Sequence, residues 1–355
     1  MYALDEVAAE ATRFREAVVR LEGFRPLYLK VKLLYGCNLR CQMCNHWREA
    51  RPGQLTTDRL KAVLTEVAGL GGRKVHFTGG EPALRPDLED LVAHASAAGF
   101  RATLTTNGTL FSRARARRIV EAGLRGVNVS IDSPAAAVHD EIRGLPGSWE
   151  RAVEGAKNLA KEAHRGKLAL ALNTVVTRLN WSTLGELPKL ALKLGARAIR
   201  LLPVDEHTGA GLRPSREEIA AFNREVAPRL AQAALGAGLI TQESEAYPFG
   251  IGPGEEGAAS RGEYALGYYR EHPCFAPFTH ALVDHEGRVF VCCMARGAPL
   301  LGDVRTQSFR EVWEGPAYRA VRLALTRGAK LPPCARCDDF LDENRRLQAI
   351  LGDPS

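Results

Sequence analysis

The chain has 355 residues, of which 45% are apolar and 25% charged, and its formal net charge is +7. This composition is typical of a globular protein with a sizeable core and excludes a disordered or collagen-like chain. No apolar run approaches the roughly 18 residues that span a bilayer, so no membrane partner is expected. Aromatic residues make up only 7% and the arginines are dispersed, which disfavours a zinc-dependent nucleic-acid binder.

Short apolar runs alternate with longer amphipathic runs between residue 28 and about residue 203. This rhythm predicts six βα units around a parallel sheet. The predicted strands are Tyr28–Leu34, Lys74–Phe77, Ala102–Thr105, Gly126–Ile131, Leu168–Val176 and Ala198–Leu202. The predicted helices lie near Thr57–Leu70, Asp87–Ala98, Ser112–Ala122, Ser148–Ala163 and Thr183–Leu194. Right-handed crossovers would close these units into an α/β fold, a partial (β/α)6 TIM-like barrel with its functional loops at the strand carboxyl ends.

Three cysteines, Cys37, Cys41 and Cys44, follow the first predicted strand within eight residues. An iron-sulfur cubane normally takes four thiolates, so a triplet can hold one while leaving an iron open to an outside ligand. A zinc knuckle with His46 as the fourth ligand is the alternative on ligand type. The eight cysteines occur without a signal peptide, which predicts metal ligation in a reducing compartment and a cytoplasmic location.

Polar clusters also follow the next three predicted strands: Thr78-Gly79-Gly80-Glu81-Pro82, Thr105-Thr106-Asn107-Gly108 and Ser130-Ile131-Asp132-Ser133. The two glycines of the first cluster let the backbone approach a ligand closely, and the Glu81 carboxylate can accept from a cationic amine. Read alone, each cluster is also compatible with an ordinary turn.

The C-x3-C-x2-C triplet followed by Gly-Gly-Glu-Pro resembles the radical S-adenosylmethionine (SAM) enzymes. The resemblance implies that SAM occupies the open iron and that one electron cleaves it to a 5'-deoxyadenosyl radical. It implies that the Gly-Gly-Glu-Pro element binds the SAM amino group, that Asn107 and Ser130 contact ribose and carboxylate, and that Asp132 lines the pocket. Asn173 and Leu202 correspond to positions beside ribose and adenine, although strand ends are usually core. The implied cofactor-binding residues are Gly79, Gly80, Glu81, Pro82, Asn107, Ser130, Asp132, Asn173 and Leu202.

One departure from the family pattern is Met43, which stands where many relatives place an aromatic residue before the third cysteine. A polarisable thioether can fill the same space, so the departure questions one adenine contact and not the class.

The C-terminal third contains the remaining cysteines. A hairpin predicted over Ala281–Val291 delivers Cys292, a helix is predicted over Ser308–Leu325, and Cys334 and Cys337 follow Pro332-Pro333. The pattern resembles the shortened SPASM or twitch domain, which implies one auxiliary 4Fe-4S cluster on Cys274, Cys292, Cys334 and Cys337. A structural zinc ribbon is the alternative on ligand type. Cys293 is left over, and it is interpreted as a small apolar strand residue, as a hydrogen-atom donor or as a ligand in place of Cys292.

Four segments are expected. They are an N-terminal helical extension (1–27), the barrel (28–205), a connecting helix and Gly-rich loop (206–273) and the auxiliary cluster domain (274–345). The connecting helix is predicted near Arg216–Leu235, and Phe249–Gly262 is predicted as a mobile loop that covers substrate. Asp205, Glu206 and His207 follow the sixth strand, and His139 and Arg143 follow the fourth, but none is assigned as a catalytic acid or base.

The expected function is a radical SAM oxidoreductase that removes a hydrogen atom from its substrate and passes an electron to the auxiliary cluster. A peptide maturase that forms a thioether or carbon-carbon crosslink, or epimerises a residue, is the alternative, and a non-catalytic iron-sulfur electron carrier is a further one. The expected partners are a small-molecule or peptide substrate and a reductant such as flavodoxin or ferredoxin. Only about 27 residues precede the first strand, which favours a compact substrate over a peptide held by a separate N-terminal domain.

Overall fold

The computed structural model describes residues 4–48, 53–292, 297–337 and 340–352. A single nine-stranded sheet forms its centre, in the order β6-β5-β4-β3-β2-β1-β7-β8-β9. The strands are β1 Tyr28–Lys32, β2 Lys74–Thr78, β3 Arg101–Thr106, β4 Gly126–Ser130, β5 Ala169–Val176, β6 Ala198–Pro203, β7 His280–Val283, β8 Arg288–Phe290 and β9 Gly302–Asp303. All six strands predicted for the barrel are present, and neighbours from β1 to β6 pair in parallel.

Helices connect these strands and pack outside them. They are α1 Leu4–Ala9, α2 Ala11–Arg20, α3 Thr57–Gly69, α4 Leu88–Ala97, α5 Arg113–Glu121, α6 Ala136–Arg143, α7 Ser148–Gly166, α8 Leu187–Lys193, α9 Arg216–Ala221, α10 Ala227–Gly236, α11 Pro253–Ser260, α12 Tyr268–Glu271, α13 Phe309–Trp313, α14 Pro316–Thr326 and α15 Leu341–Leu351. Within the described ranges, every helix is too short or too polar to cross a lipid bilayer.

Alternation along the strands separates an apolar face from a polar one. In β1, Leu29 and Val31 are buried in the main core with the helices, whereas Lys30 and Lys32 lie on the opposite face. In β2, Val75 belongs to the same core. The polar face therefore lines the inside of the barrel, and the apolar face holds the helical layer.

The predicted hairpin is present as β7 and β8, but its position could not be read from local pattern. Strand β7 pairs in parallel with β1, so that Tyr28 lies opposite His280 and Val31 opposite Val283. The hairpin thus extends the barrel sheet at its β1 edge and carries Cys292 to the side of the barrel.

Predicted helices are interrupted near prolines, which lack the N–H donor of a helical hydrogen bond. The connecting helix contains a π turn at Phe222–Val226, immediately before Pro228. The helix predicted over Ser308–Leu325 is divided into α13 and α14 at Gly315-Pro316.

The prediction of an irregular loop over Phe249–Gly262 is wrong, because α11 occupies most of this segment. Pro253 begins the helix, and Glu255 accepts hydrogen bonds from the backbone N–H groups of Ile251 and Gly252. Phe249 is fully buried, with its ring 6.1 Å from that of Phe222. The role of the segment Phe249–Gly262 as a substrate lid stays a prediction.

Candidate active site and auxiliary cluster site

The cysteine triplet lies in the loop that follows β1, at the carboxyl edge of the sheet. Cys41 is buried, and Cys37 and Cys44 are half-buried. Burial raises the pKa of the Cys37 thiol to about 11, so the metal-free thiol is protonated at neutral pH. Its Sγ accepts a hydrogen bond from Leu39 N at 3.5 Å, which favours the thiolate that a metal would require.

The Gly79-Gly80-Glu81-Pro82 element pairs with this loop through its backbone. Gly80 N donates to Leu34 O at 2.9 Å, and Glu81 N donates to Gly36 O at 3.0 Å. A Cβ atom on Gly80 would collide with the Gly36 carbonyl, and Gly79 has a φ of +141°. Both glycines are therefore required for the close approach of the two backbones, which fixes the start of the cysteine loop.

The Glu81 side chain is 1% exposed and joins the ends of β2 and β3. Its carboxylate accepts from Ala83 N at 2.9 Å, Thr106 Oγ1 at 2.7 Å and Asn107 N at 2.7 Å. Burial raises its pKa, and these three hydrogen bonds oppose that shift. The carboxylate thus organises this edge of the sheet, and its contact with the SAM amine stays a prediction.

Asn107 connects the β3 loop to the cysteine loop. Its Nδ2 donates to Asn38 Oδ1 at 2.8 Å and lies 4.0 Å from the Sγ of Cys37. Its Oδ1 accepts from the backbone and hydroxyl of Thr109 at 2.9 and 2.7 Å. Asn107 therefore acts as more than a turn residue, although the predicted ribose or carboxylate contact is not tested by these bonds.

Asp132, His139 and Arg143 form a buried group behind Cys41. The Arg143 guanidinium pairs with the fully buried Asp132 carboxylate at 2.7 Å, and its Nη1 donates to Cys41 Sγ at 3.8 Å. His139 Nδ1 accepts from Asp132 N at 3.1 Å. Burial raises the pKa of Cys41, and the Arg143 charge opposes that shift. The sequence predicts no role for Arg143 and His139, and the structure places the Arg143 guanidinium against Cys41 and the His139 ring against the backbone of Asp132.

The end of α6 also pairs with the cysteine loop. Arg40 N donates to Arg143 O at 3.1 Å, and Gln42 N donates to Ile142 O at 3.0 Å. The loop is consequently held on one side by Gly-Gly-Glu-Pro and on the other by the backbone of α6.

The remaining predicted SAM contacts lie at neighbouring strand ends. Ser130 of β4 lies opposite Asn173 of β5 in the sheet register. Leu202 of β6 lies opposite Val175 of β5. Asn173 Oδ1 is buried and accepts no hydrogen bond from the part of the chain that the structure describes. An unfilled acceptor at this edge is compatible with a polar ligand there.

The separation of the cysteine sulfurs fits a cubane. A tetrahedral zinc with Zn–S bonds of about 2.3 Å would hold its thiolates roughly 3.8 Å apart. Among the described residues, the one group of three or more metal-binding side chains whose ligand atoms lie within 4.8 Å is Asp284, His285 and Glu286. Neither cysteine set is that tight, which fits thiolates that bind separate irons of a larger cluster.

Four cysteines from distant parts of the C-terminal third line one cavity. They are Cys274, Cys292, Cys334 and Cys337. The other lining residues include Tyr269, Val291, Leu325 and Phe340, so the walls are largely apolar. Burial raises the pKa of Cys274 to about 12. Four thiol donors in one apolar cavity fit a fully ligated cubane. Cys293 lies outside the described residues.

After β6, the Glu206 carboxylate accepts hydrogen bonds from its own loop. Glu206 accepts from the backbone N–H groups of Gly211 and Arg213, the latter at 2.9 Å. Asp205 O lies 2.9 Å from His207 Nδ1. These contacts assign no catalytic acid or base.

Comparison with known proteins identifies the family. The radical SAM superfamily matches residues 31–191, and the SPASM iron-sulfur cluster-binding domain matches residues 274–338. The AdoMet-dependent heme synthase of Methanosarcina barkeri is 30% identical over 309 residues, which cover 84% of this chain and 85% of that protein. The chain belongs to the radical SAM superfamily.

Other relatives of this radical SAM enzyme differ in their named products. The AdoMet-dependent heme synthase of Oleidesulfovibrio alaskensis is 38% identical, over 46% of this chain and 41% of that protein. The PqqA peptide cyclase of Methylocella silvestris is 30% identical, over 88% of this chain and 80% of that protein. The structure of Streptococcus suis SuiB bound to S-adenosylmethionine shares the fold, with a TM-score of 0.64, 16% identity and coverage of 84% of this chain and 68% of that chain.

The cofactors of this radical SAM enzyme are SAM and two iron-sulfur clusters, one in each matched domain. The enzyme cleaves SAM reductively and uses the resulting radical to abstract a hydrogen atom from its substrate. This confirms the class that the two cysteine patterns and Gly-Gly-Glu-Pro predicted.

Proposed function

We propose that this radical SAM enzyme is an oxidoreductase that dehydrogenates its substrate. When bound, the two clusters and SAM supply a 5'-deoxyadenosyl radical and an electron acceptor. In the balanced reaction, a substrate C–H hydrogen atom ends in 5'-deoxyadenosine, one further electron goes to the auxiliary cluster, and a proton is released. The substrate is left oxidised by two electrons.

One observation carries this proposal: the cavity lined by Cys274, Cys292, Cys334 and Cys337. Four thiolates would satisfy a cubane completely, so the auxiliary site is suited to accept an electron and not to bind substrate. The cavity adjoins the barrel, because Tyr28 of β1 packs in the same apolar cluster as Cys337 and Phe340. The Tyr28 ring is also 6.5 Å from that of His76 inside the barrel.

The charge of the barrel interior favours a substrate with an anionic group such as a carboxylate. The six barrel strands contain no aspartate or glutamate, whereas Lys30, Lys32, Lys74 and Arg200 lie on their polar faces. Burial lowers the pKa of His76, and the charges of Lys30, Lys74 and Arg200 lower it further. A concave surface with one sign of charge attracts ligands of the opposite sign.

Peptide modification is the second candidate, and the similarity to the PqqA peptide cyclase favours it. A peptide side chain could present a carbon to the same radical. The two candidates are distinguished by the substrate that increases 5'-deoxyadenosine formation above its background rate and by the mass change of the product.

Two cysteine substitutions test whether the first cluster cleaves SAM and the auxiliary cluster accepts the substrate electron. In a dithionite-driven assay of anaerobically reconstituted protein, Cys41→Ala should abolish 5'-deoxyadenosine formation. Cys334→Ala should retain uncoupled cleavage of SAM but lose oxidised product. Equal loss of both activities in Cys334→Ala, with the first cluster still loaded, would show that the second site is structural and would contradict the oxidative role.

Arg200→Gln tests the anionic substrate. Arg200 donates to Asn128 Oδ1 on the polar face of β4, away from the cysteine loop. We expect the variant to cleave SAM at the wild-type uncoupled rate but to have a higher KM for an acidic substrate than the wild type has. An unchanged KM would contradict the proposal that the positive charge of the barrel interior binds an anionic group of the substrate.

We further propose flavodoxin or ferredoxin as the physiological reductant, because the first cluster needs one electron per cleavage. Replacing dithionite with either reduced protein should sustain 5'-deoxyadenosine formation. Failure of both would require another donor.

A further inference from the structure

Tyr269 lies in α12 and faces the cavity that holds the four C-terminal cysteines. Its side chain is 4% exposed, and it lines the cavity with Cys274 and Cys337. Its hydroxyl is buried and, among the residues that the structure describes, has no hydrogen-bond partner. Buried hydroxyl groups are normally hydrogen-bonded, so one that faces a cluster site without a partner indicates a ligand atom in that site.

The sulfurs of Cys274 and Cys337 are close enough to affect this hydroxyl. Tyr269 lines the same cavity wall as these two cysteines. A phenol is protonated at neutral pH, so its O–H can donate a hydrogen bond to a thiolate.

We propose that Tyr269 is a positioning residue that donates its hydroxyl proton to a cysteine thiolate of the auxiliary cluster and so raises the cluster's reduction potential. A hydrogen bond to thiolate sulfur offsets negative charge, which favours the reduced, more negatively charged cluster. The cluster would thus accept an electron more readily. This inference rests on the presence of the auxiliary cluster and holds for either candidate reaction.

The neighbouring tyrosine provides a matched control. Tyr268 Oη lies 3.3 Å from both Gln348 Oε1 and Asn344 Nδ2, so its hydrogen bonds are directed towards α15. It is partly buried in the same apolar cluster. Tyr268→Phe and Tyr269→Phe therefore remove the same atom from adjacent residues, and only the second faces the cysteines.

The experiment isolates the auxiliary cluster by placing each substitution in a Cys37→Ala/Cys41→Ala/Cys44→Ala background. After anaerobic reconstitution, the midpoint potential of the remaining cluster is measured by EPR-monitored redox titration. Tyr269→Phe should shift the potential to a more negative value, and Tyr268→Phe should leave it unchanged. Equal potentials in the parent and both variants would overturn the proposal.

A second variant keeps the test decisive if Tyr269→Phe fails to hold the cluster. Incorporation of 3-fluorotyrosine at position 269 preserves the hydroxyl and makes it a stronger donor. The potential should then shift to a more positive value. An unchanged or more negative potential with a fully loaded cluster would overturn the proposal independently of activity.

Discussion

The Nη1 atom of Arg143 lies 3.8 Å from the Sγ of Cys41, so a buried cation contacts a cysteine predicted to bind the first cluster. The same guanidinium pairs with Asp132, whose side chain is fully buried. Arg143 therefore serves two buried negative groups, a carboxylate and the thiolate that metal binding would create.

Arg143→Gln should destabilise the protein by about 3–5 kcal/mol, because it leaves the Asp132 carboxylate buried without its cation. The free energy of unfolding of the metal-free protein in urea measures this change. The double variant Arg143→Gln/Asp132→Asn removes the unpaired charge and should recover part of the loss. Equal stability of the single and double variants would contradict the assignment of the cost to Asp132.

Glu81→Gln should destabilise the protein by roughly 1–3 kcal/mol, because the amide group cannot accept all three hydrogen bonds that the carboxylate accepts. SAM affinity of the reconstituted protein should also fall, since Asn107 and the Gly-Gly-Glu-Pro backbone would shift. Glu121→Gln is the control, because Glu121 forms an exposed ion pair with Arg117. That change should alter stability by less than about 0.5 kcal/mol. Similar effects in both variants would contradict the role given to Glu81.

Gly80→Ala should destabilise the protein by about 3 kcal/mol or more, because the new Cβ atom collides with the Gly36 carbonyl. Iron binding by the cysteine triplet should fall with it. Gly69→Ala provides the matched control, since its added Cβ meets no atom within 4 Å and its φ is ordinary. This change in α3 should be neutral or stabilising. Urea unfolding and iron content measure both effects.

Stability should decrease as pH falls below the ordinary histidine pKa. Burial and the Arg143 charge lower the pKa of His139 from 6.5 to about 4. Between pH 6.5 and about pH 4 the His139 side chain binds a proton in the unfolded chain but not in the folded chain. This difference lowers the free energy of unfolding by up to about 3 kcal/mol as the pH falls. His139→Asn retains an acceptor for Asp132 N. In this pH window the variant should reduce the slope of the free energy of unfolding against pH by the amount that corresponds to about one bound proton. An unchanged slope would contradict the assignment.

The fold was largely predictable because its signals are local. The alternation of Lys30 and Lys32 with Leu29 and Val31 is carried by five successive residues, and it predicts a strand with two different faces. The cysteine triplet and Gly-Gly-Glu-Pro are also local patterns, and together they identified the radical SAM class. The helix α11 was missed because the glycine content of Phe249–Gly262 predicted a mobile loop, whereas Pro253 and Glu255 are specific helix-start signals.

The amino-acid sequence by itself determined the βα order and the radical SAM class, since both depend on residues close together in the chain. Only the tertiary structure decided that β7 pairs with β1, that Arg143 contacts Cys41 and that the Tyr269 hydroxyl faces the auxiliary site. These relationships join residues that are distant in sequence, or depend on the direction of one side chain. Packing, burial and charge pairing determine these contacts, and none of the three can be derived from the spacing of residues along the chain.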